Sequence, residues 1–224
     1  MKGVVHVLGE FVVIGLGIFG RVVASGLAGE NQSVLAIDIN ADEVKKMSAE
    51  LDTVVQADAT DEGALRELRV ERMSCAVVAI GAESMEASIL ATALLRQMGV
   101  PHIIARSLSP LHARVLRAVG AHEVVSPEEE MGRRLAHRLS HPNVLERFDL
   151  GDNAQLAEVE VPAKFVGRTL VETDVRRRYD LTVVAVHRGA DVIANPDRSQ
   201  QLLSGDVLVV VGTPEAVARF AKKV

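Results

Sequence analysis

The sequence predicts an α/β fold: a parallel sheet wrapped by helices, followed by a second, smaller α+β domain. Three observations predict it. Short β-branched runs alternate with helical stretches through the first 125 residues. A glycine-rich turn directly follows the first run. After residue 140 the alternation gives way to a different grammar of strands and turns.

Strands are expected at 11–15, 34–38, 53–57, 76–80, 102–105 and 123–125. Helices are expected between them at 19–28, 41–50, 61–68, 85–98 and 110–119. Six strands separated by five helices read as βαβ units with right-handed crossovers. Gly99 ahead of Pro101, and Gly120, mark helix ends. Ser126-Pro127-Glu128-Glu129-Glu130 starts a further helix, with acids near its positive end, that runs to about Leu139. Ser140-His141-Pro142-Asn143 is a breaker cluster, so the domains are placed at 1–145 and 146–224. In the second domain 156–161, 181–186 and 207–211 read as strands, 169–179 and 214–223 as helices, and Gly189-Ala190-Asp191 and Ser204-Gly205-Asp206 as turns.

Composition narrows the class. Hydrophobic residues make up 48% but aromatics only 3%, so the core must be built from Val, Leu, Ala and Ile, as suits strands buried on both faces. The net charge of −5 argues against a general nucleic-acid binder. The one cysteine, Cys75, lies in an apolar run and reads as a buried structural thiol. No secretory signal and no spanning run of about 18 apolar residues is seen, so the protein is expected in the cytosol. If it works at a membrane, another chain supplies the membrane part.

The turn reads Gly15-Leu16-Gly17-Ile18-Phe19-Gly20. A lone GxGxxG is weak, but here a strand precedes it, a helix follows, and a second strand ends at Asp38. That is the Rossmann-like arrangement. The first glycine allows the tight turn, the second lets backbone approach phosphate, and the third lets the helix pack on the sheet. The helix N-terminus offers N–H groups to the phosphates. Asp38 accepts from ribose hydroxyls and repels a 2′-phosphate, which disfavours NADP. Ligands in open α/β sheets sit at the strand C-termini. Asp58 there faces an adenine or ribose edge, or else caps the helix starting near Asp61. Gly81-Ala82 permits close ligand approach. Arg106 suits a phosphate, or else a surface ion pair.

A dehydrogenase would need a proton-transfer group beside the nicotinamide. The only tyrosine, Tyr179, has Val183 rather than Lys four residues on, and lies in the second domain. His102, His112 and His122 have no carboxylate at a telling spacing. A nucleotide site without an evident catalyst points to sensing, with an NAD-dependent oxidoreductase or an NAD-linked redox sensor as the alternatives.

The chain resembles the KtrA/TrkA-type regulators of potassium transport, whose RCK domains form gating rings. The resemblance rests on residues 11–20, on Val34-Leu35-Ala36-Ile37-Asp38-Ile39-Asn40, on Asp58-Ala59-Thr60, and on Val77-Val78-Ala79-Ile80-Gly81-Ala82. It continues with 120–128, Met131-Gly132, 166–170, 174–176 and 203–208. It implies one RCK unit: an N-terminal nucleotide domain and a C-terminal regulatory and dimerisation domain. It implies that subunits pair through the helix after the sixth strand and form an octameric ring beneath a membrane K⁺-translocating subunit of the KtrB/TrkH type. The ligand is then ATP or ADP, held along Gly15, Leu16, Gly17, Ile18, Phe19 and Gly20, along Asp38, Ile39 and Asn40, along Asp58, Ala59 and Thr60, along Ile80, Gly81 and Ala82, and at Arg106. Glu128 matches an acid that helps hold a divalent cation such as Mg²⁺ or Ca²⁺, or else complements the helix dipole. The C-terminal domain resembles a part that binds cyclic di-AMP in some relatives, with Arg168 as the matching position. Arg168 otherwise reads as a surface arginine, and Arg176-Arg177-Arg178 as a solvated helix face.

One position departs from the family. The turn commonly reads Gly-Leu-Gly-Arg-Phe-Gly, and that arginine reaches the γ-phosphate across the dimer. Here it is Ile18, which makes no such contact, so NAD(H) or another adenosine ligand gains ground. Arg21 is the alternative cation.

Overall fold

The computed structural model describes residues 10–81, 84–140, 143–151 and 153–221. The chain divides into two compact units, Met1–Glu130 and Met131–Val224. Among the described residues no helix is long and apolar enough to cross a membrane.

The first unit is built on strands β1 (Glu10–Ile14), β2 (Ser33–Asp38), β3 (Val54–Gln56), β4 (Cys75–Val78), β5 (Ile103–Arg106) and β6 (Glu123–Val125). They form one sheet in the order β3-β2-β1-β4-β5-β6, and each neighbouring pair is parallel. The helices are α1 (Ile18–Gly29), α2 (Ala41–Met47), α3 (Glu62–Glu67), α4 (Met85–Gln97) and α5 (Pro110–Val119). The inner strands β1, β2 and β4 bury both faces, as their apolar runs demand. Val12 and Ile14 of β1 join Leu65, Leu95 and Leu116 of α3, α4 and α5 in one core. Phe11 and Val13 join Ala24 and Met47 of α1 and α2 in the other. Cys75 is buried in this second layer, and burial pushes its thiol up to about 11, which keeps it protonated and inert. The strand order reverses between β1 and β4, which opens a crevice at their C-terminal ends.

Helix α6 (Pro127–Ser140) opens with Glu128, Glu129 and Glu130 in its first turn. Met131, Leu135 and Leu139, four residues apart on one face, are exposed. The division between the units falls in this helix, upstream of the breaker cluster where the sequence places the boundary.

The second unit holds β7 (Val144–Gly151), β8 (Ala154–Glu160), β9 (Thr182–Arg188), β10 (Asp191–Ala194) and β11 (Val207–Gly212). They pair antiparallel in the order β10-β9-β11-β8-β7. Phe165, Tyr179 and Phe220 pack with ring centroids 5.0–6.2 Å apart at the heart of its core. The helix expected over 169–179 is two: α7 (Leu170–Thr173) and α8 (Val175–Tyr179), broken where Asp174 turns left-handed at φ 48°. Aspartate is one of the few side chains that visits that region readily. The last helix, α9, is described as Pro214–Ala221; the final residues of the expected 214–223 span lie outside the described residues. Arg188 donates from Nε and Nη2 to both oxygens of Asp206, which is 1% exposed and also accepts the Leu203 N–H. The Arg188 guanidinium holds the Asp206 carboxyl below its usual range.

Candidate nucleotide-binding site

The glycine turn is fixed from two sides. Gly15 takes φ +93°, a left-handed value, and donates its N–H to Ile37 O at 2.8 Å. A Cβ at Gly15 would meet the Ile80 backbone N at 2.9 Å. At Gly20 it would lie 1.8 Å from Gly15 O, so α1 can approach the turn only without a side chain there. Ala79 Cβ, which would lie 3.1 Å from that added Cβ, completes this tight packing. Gly17 differs: it is the N-cap of α1, and a Cβ would meet nothing within 4 Å. Its open side fits the role of a position where a ligand's phosphate approaches backbone.

Asp38 is tied to this turn. Its Oδ2 accepts the Leu16 N–H at 2.5 Å and its Oδ1 accepts the Asn40 N–H at 2.7 Å. Each carboxylate oxygen keeps lone-pair capacity for a ribose hydroxyl. Asn40 caps α2 through its side chain, which accepts the Asp42 N–H at 2.9 Å, and Ile39 is exposed beside it.

Asp58 does not cap α3. Asp61 does, accepting the Gly63 N–H at 2.8 Å and the Ala64 N–H at 3.4 Å. Asp58 folds its own turn, with Oδ1 accepting from the Thr60 N–H at 2.8 Å and its hydroxyl at 2.7 Å. Those bonds, the backbone one first, lower the Asp58 pKa. Ala59 is buried in the core of this unit. Ile80 and Gly81 follow β4, and a Cβ at Gly81 would meet nothing within 4 Å. Ala82 lies outside the described residues.

Arg106 ends β5, and its guanidinium carbon lies 5.8 Å from the Phe19 ring centroid, over the first turn of α1. It donates to Glu128. Arg106 thus has an ion-pair partner that sequence distance hides: the two lie 22 positions apart. Arg21 turns instead to α2, with Nη1 3.2 Å from Glu43. Ile18 is 78% exposed. Among the described residues no group of three or more His, Cys, Asp or Glu could hold a metal ion.

His112 and His122 each accept a backbone N–H within the first unit. His112 is buried, with Nδ1 accepting the Leu108 N–H at 3.3 Å. His122 Nδ1 accepts the Ile103 N–H at 2.9 Å, and burial, with Arg96 and His102 adding to it, lowers its pKa. Tyr179 belongs to the aromatic core of the second unit.

A parallel sheet with an open Gly17, an aspartate anchoring the turn, and an appended antiparallel unit defines a Rossmann-like α/β protein with a β-rich accessory domain. Residues 11–127 match the TrkA-N domain and residues 156–224 the TrkA-C domain; the chain belongs to the TrkA-N/TrkA-C family of potassium-uptake proteins. It is 36% identical over 215 residues to the Ktr system potassium uptake protein C of Bacillus subtilis (strain 168), covering 96% of this chain and 97% of that one. It is 34% identical over 213 residues to the Ktr system potassium uptake protein A of Vibrio alginolyticus, covering 95% and 96%. Among solved structures, the GsuK channel bound to NAD aligns with a TM-score of 0.67 at 25% identity, over 94% of this chain and 38% of the channel chain.

Proposed function

We propose that this chain is the nucleotide-sensing regulatory subunit of a potassium uptake system, acting from the cytoplasmic side on a membrane K⁺-translocating subunit of the KtrB/TrkH type. The observation that carries the reading is the glycine turn with its Leu16 N–H seated on Asp38, in a chain that holds one TrkA-N and one TrkA-C domain. The ligand is an adenosine nucleotide. Its ribose lies at Asp38, its phosphates at Gly17 and the first turn of α1, and Arg106 supplies the nearby cation. Exposed Ile18 favours a diphosphate ligand, NAD(H) or ADP, over ATP, because no arginine at that position reads a third phosphate. The bound nucleotide supplies negative charge rather than a reaction, and the ring responds by a shift between two shapes.

Two copies pair through α6, where the exposed Met131, Leu135 and Leu139 form an apolar stripe, and the pairs build the octameric ring. A divalent cation between paired copies takes ligands from both, Glu128 among them, since among the described residues one chain holds no cluster of three or more ligating side chains.

A ligand panel tests the reading. ATP, ADP, NAD⁺, NADH and NADPH are titrated into the purified chain while the melting midpoint is followed. NAD(H) and ADP are expected to shift it more than ATP, and NADPH least. Potassium uptake in a strain lacking its own regulatory subunit, restored by this chain and lost with Asp38→Ala, tests the output. Robust hydride transfer to a small hydroxy acid would overturn the regulatory reading.

A further inference from the structure

Arg106 is unusual among the cations of the first unit. Its side chain is only 15% exposed, against 34% for Arg21 and 63% for Arg66. Its Nε is buried and has no hydrogen-bond partner among the described residues. A buried guanidinium donor left unpaired is costly, so the position is built for an anion with more acceptors than it now meets. The acceptor it has is Glu128, whose side chain is 61% exposed and which stands in the first turn of α6. Phe19, from the glycine turn, packs against the same guanidinium. One cation therefore touches both the phosphate-binding turn and the start of α6.

We infer that the Glu128 carboxylate is an internal stand-in for a ligand phosphate, and that nucleotide binding displaces it from Arg106. The inference rests on the nucleotide reading of the glycine-turn site. A carboxylate and a phosphate both offer oxygen pairs to a guanidinium, and the phosphate offers more charge and more acceptors. Glu128 loses little by moving to water, since it is already mostly exposed, whereas Arg106 gains an acceptor for its Nε. The exchange makes ligand affinity depend on how tightly Glu128 is held, as for any site whose competent state is only partly populated. It also releases the first turn of α6 in step with binding. Glu128 thus competes with the ligand phosphate for Arg106 within one chain, and once displaced it is free for the cation proposed between paired copies.

The test uses ADP and adenosine titrated by calorimetry into the full chain, with EDTA and then with Mg²⁺. Glu128→Gln is expected to tighten ADP roughly threefold in EDTA, the worth of one exposed ion pair, and to leave adenosine unchanged. Arg106→Lys, which keeps the charge but loses the fork, is expected to weaken ADP and to abolish the effect of Glu128→Gln in the double variant. Unchanged or weaker ADP binding by Glu128→Gln in EDTA overturns the inference. No change in EDTA together with weakening in Mg²⁺ makes Glu128 a cation ligand alone and overturns it. No binding of ADP or NAD⁺ by the unaltered chain instead sinks the nucleotide site itself.

Discussion

Gly17→Ala separates the binding role of the glycine turn from its folding role. Gly17 sits at φ −62° and ψ −174°, which any residue adopts, and an added Cβ meets nothing within 4 Å. Replacing glycine at such a site stabilises by about 0.4–1 kcal/mol through the unfolded chain, while alanine is a poorer N-cap than glycine by up to about 1 kcal/mol. The two offset, so the unliganded midpoint should move by less than about 4 °C. A ligand present at 100 times its Kd adds about 2.7 kcal/mol, or roughly 10 °C at about 4 °C per kcal/mol. The Gly17→Ala methyl stands where phosphate approaches backbone and should remove most of that shift. Gly20→Ala is the contrast: its Cβ would lie 1.8 Å from Gly15 O, so it should lower the unliganded midpoint sharply. Scanning fluorimetry with NAD⁺ and ADP reads both. A full nucleotide shift in Gly17→Ala would refute the assignment of phosphate to this turn.

Asp38→Ala should cost about 2–3 kcal/mol without ligand, because the Leu16 and Asn40 N–H groups lose a charged acceptor; an unchanged urea midpoint would show that the turn stands without it. Asp38→Asn should narrow the preference for NADH over NADPH, read by competition, and an unaltered ratio would place the ribose elsewhere. Arg188→Leu should cost about 3 kcal/mol by leaving buried Asp206 without its guanidinium. The folded Asp206 pKa is depressed, so its stabilisation is present at neutral pH and drains as pH falls below about 3.9; Asp206→Asn should flatten that acid limb of urea unfolding, and an unflattened limb would point to other carboxylates. Leu135→Asp with Leu139→Asp should lower the mass by light scattering from that of the ring to that of a single chain, and an unchanged mass would put the pairing surface off α6.

Local chemistry made most of the first unit legible. The six strands and five helices follow from β-branched runs buried on both faces and from helix stops. The glycine turn was legible because Gly15 and Gly20 answer steric demands of the fold: an added Cβ would meet the Ile80 backbone at the first and Gly15 O at the second. The second unit was less legible. Residue 174 breaks a helix that periodicity alone would carry through, and the strand at β10 is four residues long and mostly exposed, so no apolar alternation announces it. The partners of Arg106 and Arg21 were out of reach for another reason. Which acid a cation meets is decided by the C-terminal ends of parallel strands and by the packing of neighbouring helices, not by spacing along the chain. Asp61, not Asp58, capping α3 is a finer case: both are well-spaced acids, and the Thr60 hydroxyl decides by turning Asp58 away.

Those long-range pairs bear on why such a site would be used in a ring. A ligand moves a two-state equilibrium only by its difference in affinity for the two states, and a swing from 1:99 to 99:1 takes about 5.5 kcal/mol. An exchange at Arg106 is worth about as much as an exposed ion pair, up to about 1 kcal/mol. One copy therefore barely tilts its own equilibrium. In the proposed octameric ring, whose shapes change together, contributions of roughly 0.7 kcal/mol per copy accumulate to the required size. Ring closure supplies the gain that a single Arg106–Glu128 exchange lacks. Occupancy and output should then rise together steeply in the assembled ring and shallowly in the Leu135→Asp, Leu139→Asp monomer, where a nucleotide isotherm with a Hill coefficient near that of the ring would show that the energy is drawn from elsewhere.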